Sequence, residues 1–504
     1  MNLLFVFPDI GSDYINFSPA IMNLSSYVKK HLPEVNISFM HINNKHGIPY
    51  ELNNISKNIF EKKPGLVGLT CTSYSYSESN EIAAKLKQDG LVCPIILGGS
   101  HAIIKPDDLI TSSFDAFAIG ESEYALVELC RRIIENKDIT STPGFYFKLG
   151  GELARNPPAK IIDNLDDLPY PDYQLMNTRK MLEIRNGWMS VAFSRGCPYN
   201  CSFCINDILQ KQLKKYSVSY FRHKSIKNII TELKFLVNTY NKKIKIFKFE
   251  DDLLALNKDW FVDLMDMYKK NIFEPYRIPY VINIRANLIN ENIIKALSVS
   301  GCYELQIGVE TGDDELRNKI LNKQISDNQL LSAFSLCRKY KIRTLAYIMV
   351  GIPNETHDTI RTTIKMLNHM KPTLIRLTIF YPYYGTSIYK YCEREGLLKK
   401  EIIEYTNQYS NIPLIFSDIS DTDILFYQLF FPWYLNILSE NNPTANEIYE
   451  DALHKLKRND PQQIARQTIL EYDKKLSQVM LSQNISHFRY FSSNTNYVEY
   501  VETI

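Results

Sequence analysis

Short apolar runs alternate with amphipathic stretches along the first 136 residues. Runs at 3–7, 35–41, 65–70, 94–97 and 114–119 predict strands, and stretches at 21–31, at 79–88 and from Glu121 to about residue 134 predict helices between them. Strands alternating with helices predict a doubly wound, Rossmann-like parallel sheet that takes its ligand at polar, glycine-bearing strand ends. Here those ends carry Gly98-Gly99 and Gly120-Glu121. A polar stretch at 141–174, broken by Asn156-Pro-Pro and Asp166-Asp-Leu-Pro-Tyr-Pro, predicts a connector. A second alternating series follows, with strands at 189–193, 244–249, 280–284, 303–309, 344–350 and 374–380. The helix between its first two strands, 225–240, places Ile226, Ile229, Ile230, Leu233 and Val237 on one face, with Ser225 as its cap. Six strand–helix units are too few for a closed eightfold barrel and predict a partial one. Beyond about residue 399 the pattern turns helical and aromatic. The expected organisation is an α/β chain with a sheet domain at 1–140, a linker at 141–186, a partial (β/α)6 barrel at 187–398 and a mostly helical domain at 399–504 that caps the substrate.

At about 150 residues per domain, 504 residues agree with two to four domains, and 45% hydrophobic with 23% charged residues is an ordinary globular balance. That excludes collagen-like, low-complexity and wholly disordered chains. With 58 basic against 56 acidic residues, a net charge of +2 gives no electrostatic case for nucleic acid or an acidic membrane. The apolar start, 1–8, lacks the basic flank and small-residue cleavage site of a signal peptide and reads as a buried strand. The longest apolar run, 424–438, is interrupted by Gln428, Pro432 and Asn436 and falls short of the roughly 20 residues that span a bilayer. No transmembrane segment is therefore expected, and the compartment expected is the cytoplasm.

Nine cysteines, an odd and low number for this length, argue against a disulfide-stapled secreted protein. Six (Cys71, Cys93, Cys130, Cys302, Cys337 and Cys392) are scattered, mostly in apolar segments. The other three, Cys197, Cys201 and Cys204, are spaced C-x3-C-x2-C just past a buried strand, so one loop can present three thiolates to a single metal centre. A four-iron cluster held this way keeps one iron open for a substrate, as a catalytic metal site does. Gly196 lets the chain turn tightly before them. The alternatives are a zinc knuckle or three buried cysteines, but zinc needs a fourth ligand and none follows until His223. His31, His41, His46, His357 and His454 sit in polar contexts and predict surface residues. Lys211, Lys214 and Lys215 predict a solvated helix face, or a dock for an acidic electron donor.

The run Phe193-Ser-Arg-Gly-Cys-Pro-Tyr-Asn-Cys-Ser-Phe-Cys, with Phe203 before the last cysteine, resembles the signature of the radical S-adenosylmethionine (SAM) superfamily, and the likeness covers about 187–395. Further stations follow in order. Glu250-Asp251-Asp252 is similar to the family's site for the methionine amino group, and Gly308-Val-Glu-Thr-Gly, with Glu310, resembles the ribose station. Gly351-Ile-Pro-Asn-Glu355 resembles the station near the adenine. Tyr381-Pro-Tyr-Tyr-Gly-Thr resembles a P-x-P-G-T turn in which Tyr384 replaces the second proline. The resemblance implies that Cys197, Cys201 and Cys204 hold a 4Fe-4S cluster and that SAM lies against Phe203, Glu250, Asp251, Asp252, Glu310, Gly351 and Glu355. It implies that Arg285 pairs with the methionine carboxylate, for which a structural or surface ion pair is the alternative. It further implies that a donor such as flavodoxin or ferredoxin reduces the cluster, which cleaves SAM to methionine and a 5′-deoxyadenosyl radical.

The N-terminal sheet, with Gly65-Leu-Val-Gly-Leu-Thr-Cys-Thr-Ser, Leu97-Gly-Gly-Ser-His-Ala and Ala118-Ile-Gly-Glu-Ser-Glu, resembles a cobalamin-binding domain, and its order before the cysteine loop resembles the cobalamin-dependent radical SAM group. That implies cobalamin against Thr70, Ser73, Tyr74, Gly98, Gly99 and Gly120, with Tyr74 and Tyr76 near its lower face. Asp9-Ile-Gly-Ser-Asp-Tyr lacks the histidine that would supply a lower axial ligand, and His101 is expected in a loop or against the nucleotide tail. The implied function is methyl transfer to an unactivated carbon, or phosphorus, of a small-molecule or peptide natural product. The alternatives are a cobalamin-dependent cyclase or rearrangement enzyme, a non-enzymatic cluster- and cobalamin-binding sensor, and a flavodoxin-like first domain that binds nothing.

Overall fold

The computed structural model describes residues 1–10, 15–213, 219–240, 242–399, 411–439, 443–458, 460–461, 463–491 and 496–503. The chain forms two compact units, one of Met1–Pro198 with Ile208–Asp251 and one of Tyr199–Asp207 with Asp252–Ile504.

The first unit begins with β1 (Asn2–Pro8), β2 (Asn36–Ile42), β3 (Leu66–Thr70), β4 (Ile95–Gly98) and β5 (Ala116–Ala118), all parallel in the order β2-β1-β3-β4-β5. Alternate side chains of β1 enter opposite cores. Leu3 and Phe5 pack with Ile21, Val28, Leu126 and Leu129 of the helices Pro19–His31 and Glu123–Ile134. Leu4 and Val6 pack with Ile55, Ile59, Ile82 and Leu86 of the helices Leu52–Glu61 and Tyr76–Gln88. Covered on both faces, these strands read as continuous apolar runs. The expected linker departs from expectation: β6 (Phe145–Leu149) and β7 (Glu152–Arg155) form a hairpin that extends the sheet antiparallel beyond β5. Phe145 and Phe147 point into the core and drive that pairing.

The same unit holds β8 (Trp188–Val191), a two-residue ribbon of β9 (Ser194–Arg195) with β10 (Arg222–His223), and β11 (Ile246–Phe249), which pairs parallel with β8. The helix Ile226–Tyr240 joins β10 to β11, and the Ser225 hydroxyl accepts a hydrogen bond from the Asn228 amide as its cap (3.2 Å).

In the second unit β12 (Tyr280–Ile284), β13 (Cys302–Glu310), β14 (Arg343–Val350) and β15 (Leu374–Ile379) run parallel, with the helices Glu291–Ser300, Asp327–Lys339 and His357–Met370 as crossovers. All six strands expected of the barrel segment form within two residues of their expected positions. The C-terminal region is mostly helical, as expected, but also supplies β16 (His487–Tyr490) and β17 (Tyr497–Val501). β17 pairs antiparallel with β15, and β16 with β17, so the open edge of the parallel ladder is covered. Most of the tail aromatics are core. Trp433 is fully buried and donates its indole N–H to Asp473 (2.7 Å), whose other oxygen accepts from the Tyr490 amide (2.9 Å). Phe488 is buried and Phe491 exposed. Among the described residues no helix is long and apolar enough to cross a membrane.

Candidate functional site

In the first unit β9 leads into Gly196, at φ +85°, where a Cβ would strike the Tyr220 carbonyl oxygen; only glycine fits that turn. Half-buried Cys197 follows. In the second unit, Cys201 is buried and Cys204 half-buried on one turn closed by the Cys204 amide on the Cys201 carbonyl (3.1 Å). The turn is pinned by the Ser202 amide on the Leu321 carbonyl and the Ile388 amide on the Ser202 carbonyl, both 3.0 Å. Buried Arg285 places Nη1 3.2 Å from the Cys201 sulfur, stacks its guanidinium 3.7 Å over the Tyr199 ring and donates to the Lys323 carbonyl. It is neither a surface residue nor held by an acidic partner in these contacts. The Asn206 amide stands 3.6 Å from the Cys204 sulfur and donates to Asp252 (3.1 Å). Burial pushes the Cys204 thiol up to about 11, which a bound metal would reverse by holding the thiolate.

All nine cysteines are free of disulfides. Among the described residues no three His, Cys, Asp or Glu side chains already stand as a metal site. The donor chemistry fits an iron–sulfur cluster rather than zinc: three soft sulfurs on one loop, a guanidinium and an amide poised on two of them, and no fourth histidine or cysteine nearby in sequence.

The strand-end carboxylates divide. In the first unit, Glu250 accepts from the Ser190 hydroxyl (2.8 Å) and pairs with Lys248 (2.9 Å). Asp251 is buried and accepts from the Phe193 amide (2.9 Å) and from the Ser194 amide and hydroxyl (both 2.5 Å), so it buttresses the approach to the cysteine loop. In the second unit Asp252 is exposed. Glu310 sits at φ +67° on an irregularity in β13 and is buried against Lys323 (2.6 Å). A Cβ on Gly308 would strike that Glu310 carboxylate and lie 2.8 Å from the ammonium. The Lys323 ammonium also stands 5.9 Å from the ring centre of half-buried Phe203, which gathers Phe203, Glu310, Lys323, Arg285 and Cys201. Gly351, at φ +81°, opens a turn that Glu355 closes by accepting from the Gly351 amide and the Ile352 amide (3.3 Å). Burial pushes Glu355 up to about 8. Gly385 takes φ +79°, and Thr386 caps the helix Ser387–Arg394 by accepting from the Tyr389 amide.

At the C-terminal strand ends of the first sheet, Gly98 ends β4 and Gly99 takes φ +94°, where a Cβ would collide with the Cys71 carbonyl oxygen. Gly120 takes φ +110° with nothing within 4 Å of its Cβ position. Thr70 ends β3, Ser73 is buried and Tyr74 exposed. His101 is not in a loop. It is buried in the helix Ser100–Ile104, with Nδ1 3.1 Å from the Ser73 hydroxyl, Nε2 3.2 Å from Asp108, and its ring stacked 3.7 Å from that of Tyr76. Burial lowers its pKa. Tyr76 is thereby committed to His101. His41, expected at the surface, has only 9% of its side chain exposed and pairs with Asp9 at 3.0 Å. Gly11 to Tyr14, Lys214 and Lys215 lie outside the described residues, and Lys211 is exposed.

Three groups were missed by sequence reasoning: Lys323, Asn206, and an ionic cluster of Arg195 and Arg222 with Glu121 and Glu123. Burial alone would raise Glu123, but the charge and hydrogen bond of Arg195 hold it below the usual carboxylate range. Apart from Asn206 with Cys204, two residues away, these pairings join residues at least 13 apart in sequence: Lys323 with Glu310, Asn206 with Asp252, and Arg195 with Glu121 and Glu123.

Residues 12–130 match the B12 binding domain family and residues 191–367 the radical SAM superfamily. An uncharacterised methyltransferase of Pyrococcus horikoshii is 28% identical over 346 residues, 68% of this chain and 72% of that one. The anaerobic magnesium-protoporphyrin IX monomethyl ester cyclase of Cereibacter sphaeroides is 24% identical over 67% of this chain, which spans 54% of the cyclase. The cobalamin-dependent SAM radical enzyme OxsB shares the fold at a TM-score of 0.66 and 15% identity, over 96% of this chain and 74% of OxsB. The chain thus carries a B12-binding domain followed by a radical SAM domain.

Proposed function

We propose that this chain is a cobalamin-dependent radical SAM methyltransferase acting on an unactivated carbon of a small-molecule or peptide natural product. The observation that carries the proposal is the glycine-lined edge of the first sheet, in a chain that also presents three disulfide-free cysteines on one loop. When bound, the cluster supplies the electron that breaks a carbon–sulfur bond of SAM, and cobalamin supplies the methyl carrier.

Cys197, Cys201 and Cys204 would hold the cluster, with Arg285 and Asn206 donating to two of its sulfurs and tuning its charge. Asp252, the most open carboxylate of its run, would accept from the amino group of SAM. Phe203 would stack on the adenine, and Glu310 would turn from Lys323 to the ribose hydroxyls. Asp251 holds the approach to the loop and Glu250 the end of β8, and Gly351 with Glu355 shapes the adenine wall. Gly98, Gly99 and Gly120 would admit the corrin and its tail, with Thr70, Ser73 and Tyr74 beside them. A small flavodoxin- or ferredoxin-type donor would supply electrons, in the cytoplasm.

The likeness to the ester cyclase favours a second reading, radical cyclisation without methyl transfer. Anaerobic turnover with SAM and a low-potential reductant separates them. Methyl transfer predicts S-adenosylhomocysteine together with 5′-deoxyadenosine. With authentic substrate, 5′-deoxyadenosine alone would favour the cyclase, and neither product would favour a sensor.

A further inference from the structure

The ribbon of β9 and β10 sets Arg195 directly opposite Arg222. Like charges directly across a strand pair repel, so the pairing needs a counter-charge. It comes from the turn after β5 and the first residue of the helix that follows. Glu121 accepts from Arg195 Nη1 at 2.8 Å and bridges to Arg222, whose Nη1 lies 3.3 Å away, and Glu123 accepts from Arg195 Nη2 at 2.5 Å. Arg222 also donates to the Ile162 carbonyl. Two arginines thus balance two glutamates, and the side chains of Glu123 and Arg222 are only 6% and 5% exposed. Removing one member leaves a buried charge unpaired, so the cluster holds together or opens as a unit.

Its two ends have different neighbours. Glu121 directly follows Gly120, the open glycine of the sheet's ligand edge, and Arg195 stands two residues before Cys197. We propose that Arg195, Glu121 and Glu123 are positioning residues that couple the Gly120 ligand edge to the cysteine loop, so that loading the cluster tightens cobalamin binding. Fixing Cys197 fixes Arg195, and Arg195 holds the Glu121 turn in the shape the corrin meets. The ordering cost is then met once for both sites, and the coupling is reciprocal. This inference rests on the cofactor assignment proposed above.

The test is equilibrium binding of hydroxocobalamin to the full chain, followed by absorbance under anaerobic conditions, with and without the reconstituted cluster. Wild type, Arg195→Lys and the double variant Glu121→Gln/Glu123→Gln are compared. Circular dichroism checks folding, and Arg195→Lys, which keeps the charge but loses the two-pronged geometry, carries the test if the double variant does not fold. The expected result is a Kd at least about fivefold lower in the cluster-loaded wild type, and a ratio that collapses to within about twofold in the variants while each form still binds cobalamin. A merely structural role would weaken both forms alike and leave the ratio unchanged, which would overturn the inference. A wild-type ratio near one would overturn it too, with the cofactor assignment intact. Failure of both wild-type forms to bind cobalamin would overturn both.

Discussion

The strand ends of the two units prepare for ligands in opposite ways. At the first sheet's edge the backbone is bare: Gly98 and Gly99 bring it close to the turn after β3, and Gly120 faces empty space. At the strand ends of the second unit charge is crowded and already matched, Glu310 by Lys323, Glu355 by two amides, and Arg285 by a sulfur and an aromatic ring. The first edge is receptive by shape, which suits a broad planar macrocycle. The second, on the function proposed, would be receptive by exchange: an incoming group would replace a partner that the chain itself supplies.

Substitutions at the two edges should therefore fail differently. The largest effect is expected at the cysteines: alanine at Cys197, Cys201 or Cys204 should reduce cluster iron and 5′-deoxyadenosine formation to background, by iron assay and chromatography. Residual cleavage of SAM by all three variants would place the cluster elsewhere.

Next come the turns. Gly99→Ala adds a collision with the Cys71 carbonyl to an unfavourable φ and should cost about 1–3 kcal/mol in chemical unfolding. Glu355→Ala orphans the Gly351 and Ile352 amides and should cost a similar about 1–3 kcal/mol. Glu355→Gln isolates the charge. With its folded value raised by burial to about 8 from an ordinary 4.5, Glu355 contributes stability fully below about pH 4.5 that is lost as pH rises through 8. Wild type should therefore lose stability against Glu355→Gln between about pH 5 and pH 8.5, and parallel melting profiles would show a carboxylate already charged in the folded chain.

The smallest effect on folding is expected at Gly120. Gly120→Ala strains φ but meets no atom, so it should destabilise less than Gly99→Ala, while cobalamin affinity falls about tenfold as the methyl enters the corrin's space. Unchanged affinity would move the ligand away from that edge.

Much of this was legible in sequence for one reason: parallel strands covered on both faces leave apolar runs, nearly unbroken in β1, β3 and β4 and still dominant in β12 to β15, where Asn283, Glu304, Gln306 and Arg376 interrupt them. The hairpin of β6 and β7 was hidden because its alternation, with Phe145 and Phe147 buried and Tyr146 between them, lies within a proline-rich polar stretch. β16 and β17 are short strands that pair only after the helices of the tail bring them to β15. In the site, the cysteines announce themselves by spacing. Glu121 and Arg195 lie 74 residues apart, and nothing local marks either as the other's partner. His41 reads as polar in sequence, and only the register of β1 with β2 carries it to Asp9.

The central claim is that one chain carries an iron–sulfur cluster on its cysteine loop and cobalamin on its first sheet. Metal content after anaerobic reconstitution with iron, sulfide and hydroxocobalamin, followed by desalting, tests it most directly. The account predicts about four irons and one cobalt per chain, with the iron lost and the cobalt retained, more weakly, in the triple cysteine-to-alanine variant. About one zinc per chain in place of iron, or cobalt that desalting removes from the wild type, would contradict it.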